Sequence, residues 1–341
     1  MAKIYVGLDV GSSSCHLVAL NKDGEVLADR KFGTGEMNLL AAIEPLNGQV
    51  HVHLEASELA GWIRRVLRPH VAGVVVGHAK SSAWIAKDPL KRDQLDAYKL
   101  ATLLRMGQVH EVFYADEDER TIFKQIVQHY DDVTEQEVRI KLKIKSRLRA
   151  QGVIVRGDSA YTPEGRAEYV AKVPSEAARD SIGQLYELLN HTLHAQSEAR
   201  KLMRRESRKY PEIELFEEVP GIALVGACRF SAYIQTPFRF RSKRKLWRYC
   251  RLGITNRRSD GKPLGRQALD WNGNPRLKAF SRFAFIGAIK SKQDNAFKRA
   301  YQGTLETTHN KDHARLSTQR KILTVLWTMW RKKENYRDEK G

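Results

Sequence analysis

The chain has 341 residues, 42% of them hydrophobic and 9% aromatic, which is enough apolar material for more than one core and excludes a disordered chain. Lys+Arg number 59 against 40 Asp+Glu, a formal net charge of +19, and such a surplus points to a polyanionic partner, nucleic acid or an acidic membrane. The longest apolar runs, such as residues 71–77, are strand-sized and far short of the roughly 18 residues of a membrane span. Met1-Ala2-Lys3-Ile4-Tyr5-Val6 lacks the layout of a signal peptide, and Cys15, Cys228 and Cys250 form no CxxC pair. These features predict a soluble protein of a reducing cytoplasm and favour nucleic acid over lipid.

In chain order, residues 4–10 read as a strand followed by Gly11 and three serines. Residues 15–20 and 25–32 read as two more strands, joined by a hairpin turn at Asn21-Lys22-Asp23-Gly24. Residues 36–46 have helical spacing, Val50 to Leu54 alternates and ends at Glu55, and residues 57–68 are amphipathic. Val71 to Val76 reads as a buried strand and residues 93–106 as a helix. Three strands, helix, strand, helix, strand, helix is the element order of a ribonuclease-H-like α/β fold on a mixed sheet. A long helix is expected over residues 120–148, ended by Gln151-Gly152. A loop with Gly157, Pro163, Gly165 and Pro174 follows, then a second helix from Ser175 to about Leu202. The narrow apolar stripes of these two helices suit an antiparallel pair or coiled coil, or equally ordinary packing on the first domain. Beyond Pro211, helices are expected at 223–233, 242–251, 276–301 and 312–334, with loops or a hairpin over 253–276.

Charge divides the chain in the same places. Residues 1–115 carry a net +1, residues 116–210 a net +2 and residues 211–341 a net +16. Three domains are therefore expected: a catalytic α/β domain over 1–115, a long-helix linker and dimerisation module over 116–210, and a basic, mainly helical domain over 211–341. In the last domain the cations interleave with aromatics, as in Phe238-Arg239-Phe240-Arg241 and Leu246-Trp247-Arg248-Tyr249, which reads as a folded phosphate-binding surface. Arg241, Lys243, Arg244, Lys245, Arg248, Arg257, Arg258, Lys262 and Arg266 are its candidate nucleic-acid contacts.

The expected sheet order brings Asp9, Glu55 and the pair Asp93 and Asp96, three apart on one helix face, to a single edge. Clustered carboxylates repel unless a hard cation sits among them, and metals held in this way bracket a phosphodiester. Each residue has a duller reading: Asp9 as a turn former, Asp93 as a helix N-terminal residue, Glu55 as a solvated strand end. Ser259, in Asn256-Arg257-Arg258-Ser259-Asp260-Gly261-Lys262, places a hydroxyl among cations able to hold the phosphate it attacks. The same residues also suit a plain turn. Ser242 competes for this role, although it reads better as the cap of the basic helix that follows. Gly7-Leu8-Asp9-Val10-Gly11-Ser12 also resembles the phosphate turn of sugar kinases and actin-like ATPases, but the chain has no second, related half.

In order along the chain stand Tyr5-Val6-Gly7-Leu8-Asp9-Val10, His53-Leu54-Glu55-Ala56-Ser57, Lys91-Arg92-Asp93-Gln94-Leu95-Asp96-Ala97, Val219-Pro220-Gly221-Ile222, Leu252-Gly253-Ile254 through Arg258-Ser259-Asp260-Gly261, and Asn272-Gly273-Asn274-Pro275-Arg276-Leu277-Lys278. Over nearly its whole length the chain resembles the DEDD transposases of bacterial insertion sequences, family one hundred and ten of the usual numbering, relatives of the Piv/MooV invertases. The resemblance implies a RuvC-like first domain with Asp9, Glu55, Asp93 and Asp96 as Mg²⁺ ligands, and a transposase domain with Ser259 as nucleophile. It implies donor and target DNA and a guide RNA, the bridge RNA, as partners. It also implies a homo-oligomer, dimer or tetramer, in which carboxylates of one subunit serve the serine of another. Asp260 and Ala223 stand where the family often has glycine.

The expected function is thus an RNA-guided DNA recombinase of the bacterial cytoplasm and nucleoid. A RuvC-like metal-dependent nuclease without serine chemistry is the alternative. A nucleic-acid-binding protein with inactive carboxylates is a second.

Overall fold

A computed structural model describes residues 2–78, 93–114, 118–255, 258–259, 262–263 and 268–338, the two short pieces by their backbone. The chain forms two compact units, Met1–Asp118 and Glu119–Gly341.

The first unit opens with β1 (Lys3–Val10), β2 (Ser14–Leu20) and β3 (Val26–Gly33), an antiparallel meander. The Asn21 side chain makes the β2–β3 turn by accepting bonds from the Asp23 and Glu25 N–H groups, both at 2.9 Å, while Gly24 takes φ +93°. Next come α1 (Glu36–Ile43), β4 (Gln49–Glu55), α2 (Ala60–Leu67), β5 (Gly73–Gly77) and α3 (Asp93–Arg105). The strands lie in the order β3-β2-β1-β4-β5, with β4 parallel to both β1 and β5. This is a five-stranded mixed sheet compatible with a ribonuclease-H-like transposase fold.

Strand alternation decides what covers each face. Ile4, Val6 and Leu8 of β1, with Val50, Val52 and Leu54 of β4, pack under Leu39, Ala42 and Ile43 of α1 and Ala60, Ile63 and Leu67 of α2. Each of the Val, Leu and Ile side chains contributes about 1.5–3 kcal/mol by leaving water, the two alanines less. The opposite face carries Gly7 of β1 and Val18 and Leu20 of β2, and α3 lies there on Ala97 and Ala101.

The second unit opens with α4 (Asp118–Ala150), stopped by Gly152 at φ +77°. Where the prolines and glycines of 153–174 suggest only loop, α5 (Pro163–Ala171) forms. Thr162 caps it by accepting from Gly165 N–H, and Pro163 sits in the first turn, where its missing N–H costs nothing. The next helix, α6 (Glu176–Ser207), runs antiparallel to α4 around Ile140, Ile144, Leu148, Ile182 and Leu189, and Gln196 donates to Glu137 at 2.6 Å.

The helical domain that follows contains α7 (Glu212–Glu217), α8 (Leu224–Ile234) and α9 (Lys243–Tyr249). A pair of two-stranded ladders comes next, β6 (Ile254–Thr255) with β9 (Ala268–Leu269) and β7 (Arg258–Ser259) with β8 (Lys262–Pro263). Then come α10 (Pro275–Lys290), α11 (Ala296–Thr308) and α12 (Lys311–Lys332). The single helix expected over 276–301 is two helices. Chain reversal occurs at 291–295, where buried Asn295 accepts bonds from the Phe297 and Lys298 N–H groups, both at 3.1 Å. The core of this domain is aromatic, with Phe216, Phe230 and Trp330 in mutual contact and Phe280 against Phe230. Gly221, at φ +87°, lets the turn before α8 touch the α10 backbone at Ala284 and Ala288, where a side chain would overlap. Cys15, Cys228 and Cys250 are buried free thiols. Among the described residues no helix is long and apolar enough to cross a membrane.

Candidate active site

The position of α3 decides which carboxylates meet. Gly7 leaves room for the helix backbone at Ala97 and Ala101, where any side chain would overlap it. At its other end Arg105 Nη1 donates to Lys22 O at 3.2 Å, in the β2–β3 turn beside the start of β1. The helix therefore runs antiparallel to β1, and its first turn, with Asp93 and Asp96, lies over the end where β1 finishes.

Asp9 stands two residues beyond Gly7 on the same face of β1. Leu8 pairs with Leu54, so Glu55 follows at the same end of the neighbouring parallel strand. His53, opposite Gly7, donates from Nδ1 to Leu100 O of α3 at 2.8 Å. That bond places the β4 face carrying His53 and Glu55 against the helix. Burial pushes the His53 imidazole below its ordinary value, leaving Nε2 an unprotonated, buried acceptor packed close to Gly77.

All four predicted carboxylates thus belong to one sheet edge. Asp9, Glu55 and Asp96 are half-buried and Asp93 is exposed. Burial first, then the Asp93 and Asp96 carboxylates, push the Asp9 carboxyl above its ordinary value, against the opposing pull of Val10 N–H and His16. Asp93 is held below its ordinary value by Lys31, whose Nζ lies 3.1 Å from Asp93 Oδ2. Among the described residues no three His, Cys, Asp or Glu side chains stand close enough together to grip a metal ion as they lie. The donor set is nevertheless all carboxylate oxygen, suited to a hard divalent cation, and the repulsion felt at Asp9 is what such a cation relieves.

The structure adds a row of polar residues that a reading of isolated motifs passes over. Across the sheet Asp9 pairs with His16 and His16 with Lys31, so the three lie side by side. His16 Nε2 donates to Asp29 Oδ1 at 2.6 Å and holds that carboxyl below its ordinary value, and Gln94 of α3 also donates to Asp29. The Asn21–Gly24 turn alone would set His16 opposite Arg30; an irregularity between Ala19 and Leu20 shifts the β2–β3 register by one and brings Lys31 there instead. On the other face of the same edge, an open groove of about 560 Å³ is lined by Val10, Ser12, Thr34, Ser57 and Trp62.

In the second unit the backbone of Ser259 lies in β7, paired with Lys262 of β8, so that residues 260–261 connect the two. The Ser259, Arg258 and Lys262 side chains lie outside what the structure describes, as do Arg257 and Arg266 altogether. The root of this hairpin is fastened to α9: Arg248 Nε donates to the buried Asp270 at 2.6 Å, Asp270 N–H to Gly253 O at 2.8 Å, and Asn274 N–H to Tyr249 O at 2.7 Å. Arg241, Lys243, Arg244, Lys245 and Arg248 are exposed. Ser242 caps α9, accepting from Lys245 N–H.

A mixed sheet with four carboxylates at one edge, followed by a basic helical unit, is the plan expected of a metal-dependent enzyme acting on nucleic acid, the class to which DNA transposases belong. Comparison with known families bears this out. The model of the IS110 DEDD transposases, described as a transposase, matches residues 6–151, and the model described as the transposase IS116/IS110/IS902 family matches residues 213–302. The chain belongs to the IS110-family transposases, enzymes that cut and rejoin DNA, and membership implies a divalent metal cofactor. No curated protein matches the chain.

Proposed function

We propose that the protein is a metal-dependent serine recombinase of an insertion sequence, guided to its sites by RNA. The observation that carries this reading is the antiparallel docking of α3 on Gly7, which delivers Asp93 and Asp96 to the strand ends bearing Asp9 and Glu55. These four carboxylates, in a RuvC-like arrangement, would hold Mg²⁺. When bound, that ion supplies Lewis-acid stabilisation of charge on the phosphate oxygens.

The remaining chemistry belongs to the chain. Ser259 Oγ loses its proton and bonds to the scissile phosphorus as the bond to the leaving deoxyribose oxygen breaks and that oxygen gains a proton. The phosphoserine ester keeps the energy of the broken bond, so a second deoxyribose hydroxyl can displace the serine and rejoin the strand. A water nucleophile would discard it. Arg257, Arg258, Lys262 and Arg266 would hold the phosphate near Ser259, and Arg241, Lys243, Arg244, Lys245 and Arg248 would grip the flanking backbone of DNA or guide RNA, with strong salt dependence.

In this reading residues 1–115 form the catalytic domain, 116–210 a coiled-coil module that joins subunits, and 211–341 the serine-bearing domain. Carboxylates of one subunit would serve the serine of another in a dimer or tetramer at the nucleoid. The test is to incubate the protein with donor DNA, Mg²⁺ and the nucleic acid that co-purifies with it, then denature. A protein–DNA adduct is expected that Ser259→Ala abolishes, together with a discrete co-purifying RNA. Cleavage that survives Ser259→Ala without any adduct would establish a plain nuclease instead.

A further inference from the structure

The face of α10 turned away from its core carries an unusual combination. Leu277, Phe280, Ser281, Ala284 and Ala288 are buried, whereas Phe283 on the opposite side is 64% exposed. Trp271, in the segment entering α10, is 73% exposed. Large aromatics left in water lose the stabilisation that burial gives them, so each marks a place where something else covers it.

A groove of about 600 Å³ lies between α10 and α12. Its wall includes Phe283, Ile286 and Leu316, and its rim Lys278, Arg282 and Arg315. The Lys278 ammonium sits over the Trp271 ring at 4.8 Å from the centroid, which leaves the other face of the indole for a second partner. Neither Lys278 nor Arg282 takes part in an ion pair among the described residues, and Arg315 pairs only with the exposed Asp312, at 2.9 Å. Leu269, also in the wall, belongs to β9 at the root of the hairpin that contains Ser259.

Apolar ring faces beside unspent cations match one ligand chemistry: a flat base with a phosphate attached. In a duplex, base faces are already stacked on one another, so such platforms serve unpaired nucleotides. We propose that this groove binds a single-stranded stretch of the DNA being cut. One base stacks on Phe283 in the groove and another on Trp271 beside it, next to the rim residue Lys278; phosphates meet Lys278 and Arg282, and the strand leaves the groove at the root of the serine hairpin. Single-stranded DNA is the occupant because the family cuts and rejoins DNA strands, and, resting on the serine reading above, the position beside the hairpin places the groove on the strand next to the cut.

The test uses the full chain with a chelator present, so the carboxylates stay out of the assay and its outcome does not depend on the metal or the serine. Binding of a labelled oligothymidylate is followed by anisotropy. Trp271→Ala and Phe283→Ala should each weaken binding roughly tenfold, the usual effect of deleting one stacked aromatic, while Trp271→Phe stays near the parent. Trp271→Phe should also lose part of the tryptophan quenching that the oligonucleotide causes. Both side chains are exposed, so melting temperatures should hold, and affinity for a duplex of equal length should change less than about twofold. The proposal is overturned if the folded alanine variants bind oligothymidylate as tightly as the parent. It is overturned equally if duplex affinity falls in step, which would mean a general basic surface, or if only oligouridylate binding falls, which would mean a groove for RNA.

Discussion

The two halves of the proposed chemistry are built on opposite kinds of scaffold. The carboxylates stand on the middle strands of a five-stranded sheet and on a helix fitted to it without a side chain between them, at Gly7 against Ala97. Ser259 stands on a ladder of two residue pairs, and the root of that hairpin is tied down by Asp270, Asn274 and the close approach of Gly273 to Tyr249 O. Metal chemistry needs several oxygens held in fixed mutual geometry, which packed elements provide. In the proposed reaction the nucleophile carries a DNA strand from one partner to another, and a small ladder suits that task better than a packed sheet.

The widest separation between the halves should come from Asp9→Asn. Strand transfer should fall roughly 10³-fold, the several kcal/mol of charge stabilisation a metal supplies. Thermal stability measured with a chelator should stay level or rise, because the substitution removes a half-buried charge repelled by Asp93 and Asp96. A variant that transfers strands normally would detach the sheet edge from the reaction.

Second in size is the scaffold itself. Gly7→Val should push α3 from the sheet and cost about 2–3 kcal/mol, since the atoms in its way are backbone and cannot swing aside. Circular dichroism melting would show the loss, and activity should fall with it although no carboxylate has changed. Stability equal to the parent would mean that the helix tolerates a different seat.

At the hairpin the corresponding change is smaller and more local. Arg248→Ala leaves the buried Asp270 carboxylate with only Asn272, through its N–H and its side chain, and should cost about 1–3 kcal/mol, read as faster amide exchange around 253–274 with the first unit unaffected. Burial raises the Asp270 carboxyl, but the Asn272 N–H and the Arg248 guanidinium outweigh it and hold it below its ordinary value. Its stabilising contribution is therefore complete above the unfolded value of about 3.9 and is lost as pH falls from there through the folded value. Hairpin protection that is indifferent to acid over that range would remove Asp270 as the anchor.

How far each half was legible follows from the same contrast. Local rules sufficed for the sheet: a hairpin turn at Asn21, alternation in β1 and β4, and a helix starting at Asp93 together predict the strand order and the common edge. The polar row of His16, Lys31 and Asp29 was not read, because it depends on pairing register, which only the completed meander makes visible. In the second unit, α5 was hidden by Pro163 and Gly165, which look like loop residues until Thr162 is recognised as a cap. The break at 291–295 was hidden because the apolar pattern continues across it on both sides, and only the buried Asn295 marks the corner. Arg248 looked like a phosphate contact from its basic neighbours, and its bond to an aspartate 22 residues away is tertiary information.

The smallest change addresses which serine carries the chemistry. Ser242 has cations around it as Ser259 does, but its hydroxyl already accepts the Lys245 N–H at the start of α9. Ser242→Ala should remove one helix cap, costing about 0.5–1 kcal/mol in a melting curve, and leave adduct formation and strand transfer at parental levels. Because α9 also carries Arg248, a badly frayed helix would loosen the hairpin and lower activity indirectly. Ser242→Asn, another good capping residue, separates the two cases. If the asparagine restores stability but the adduct is still missing, Ser242 is the nucleophile and the hairpin serine is a turn residue. If both variants form the adduct, the hydroxyl on α9 is a cap and the reaction belongs to the ladder of Ser259.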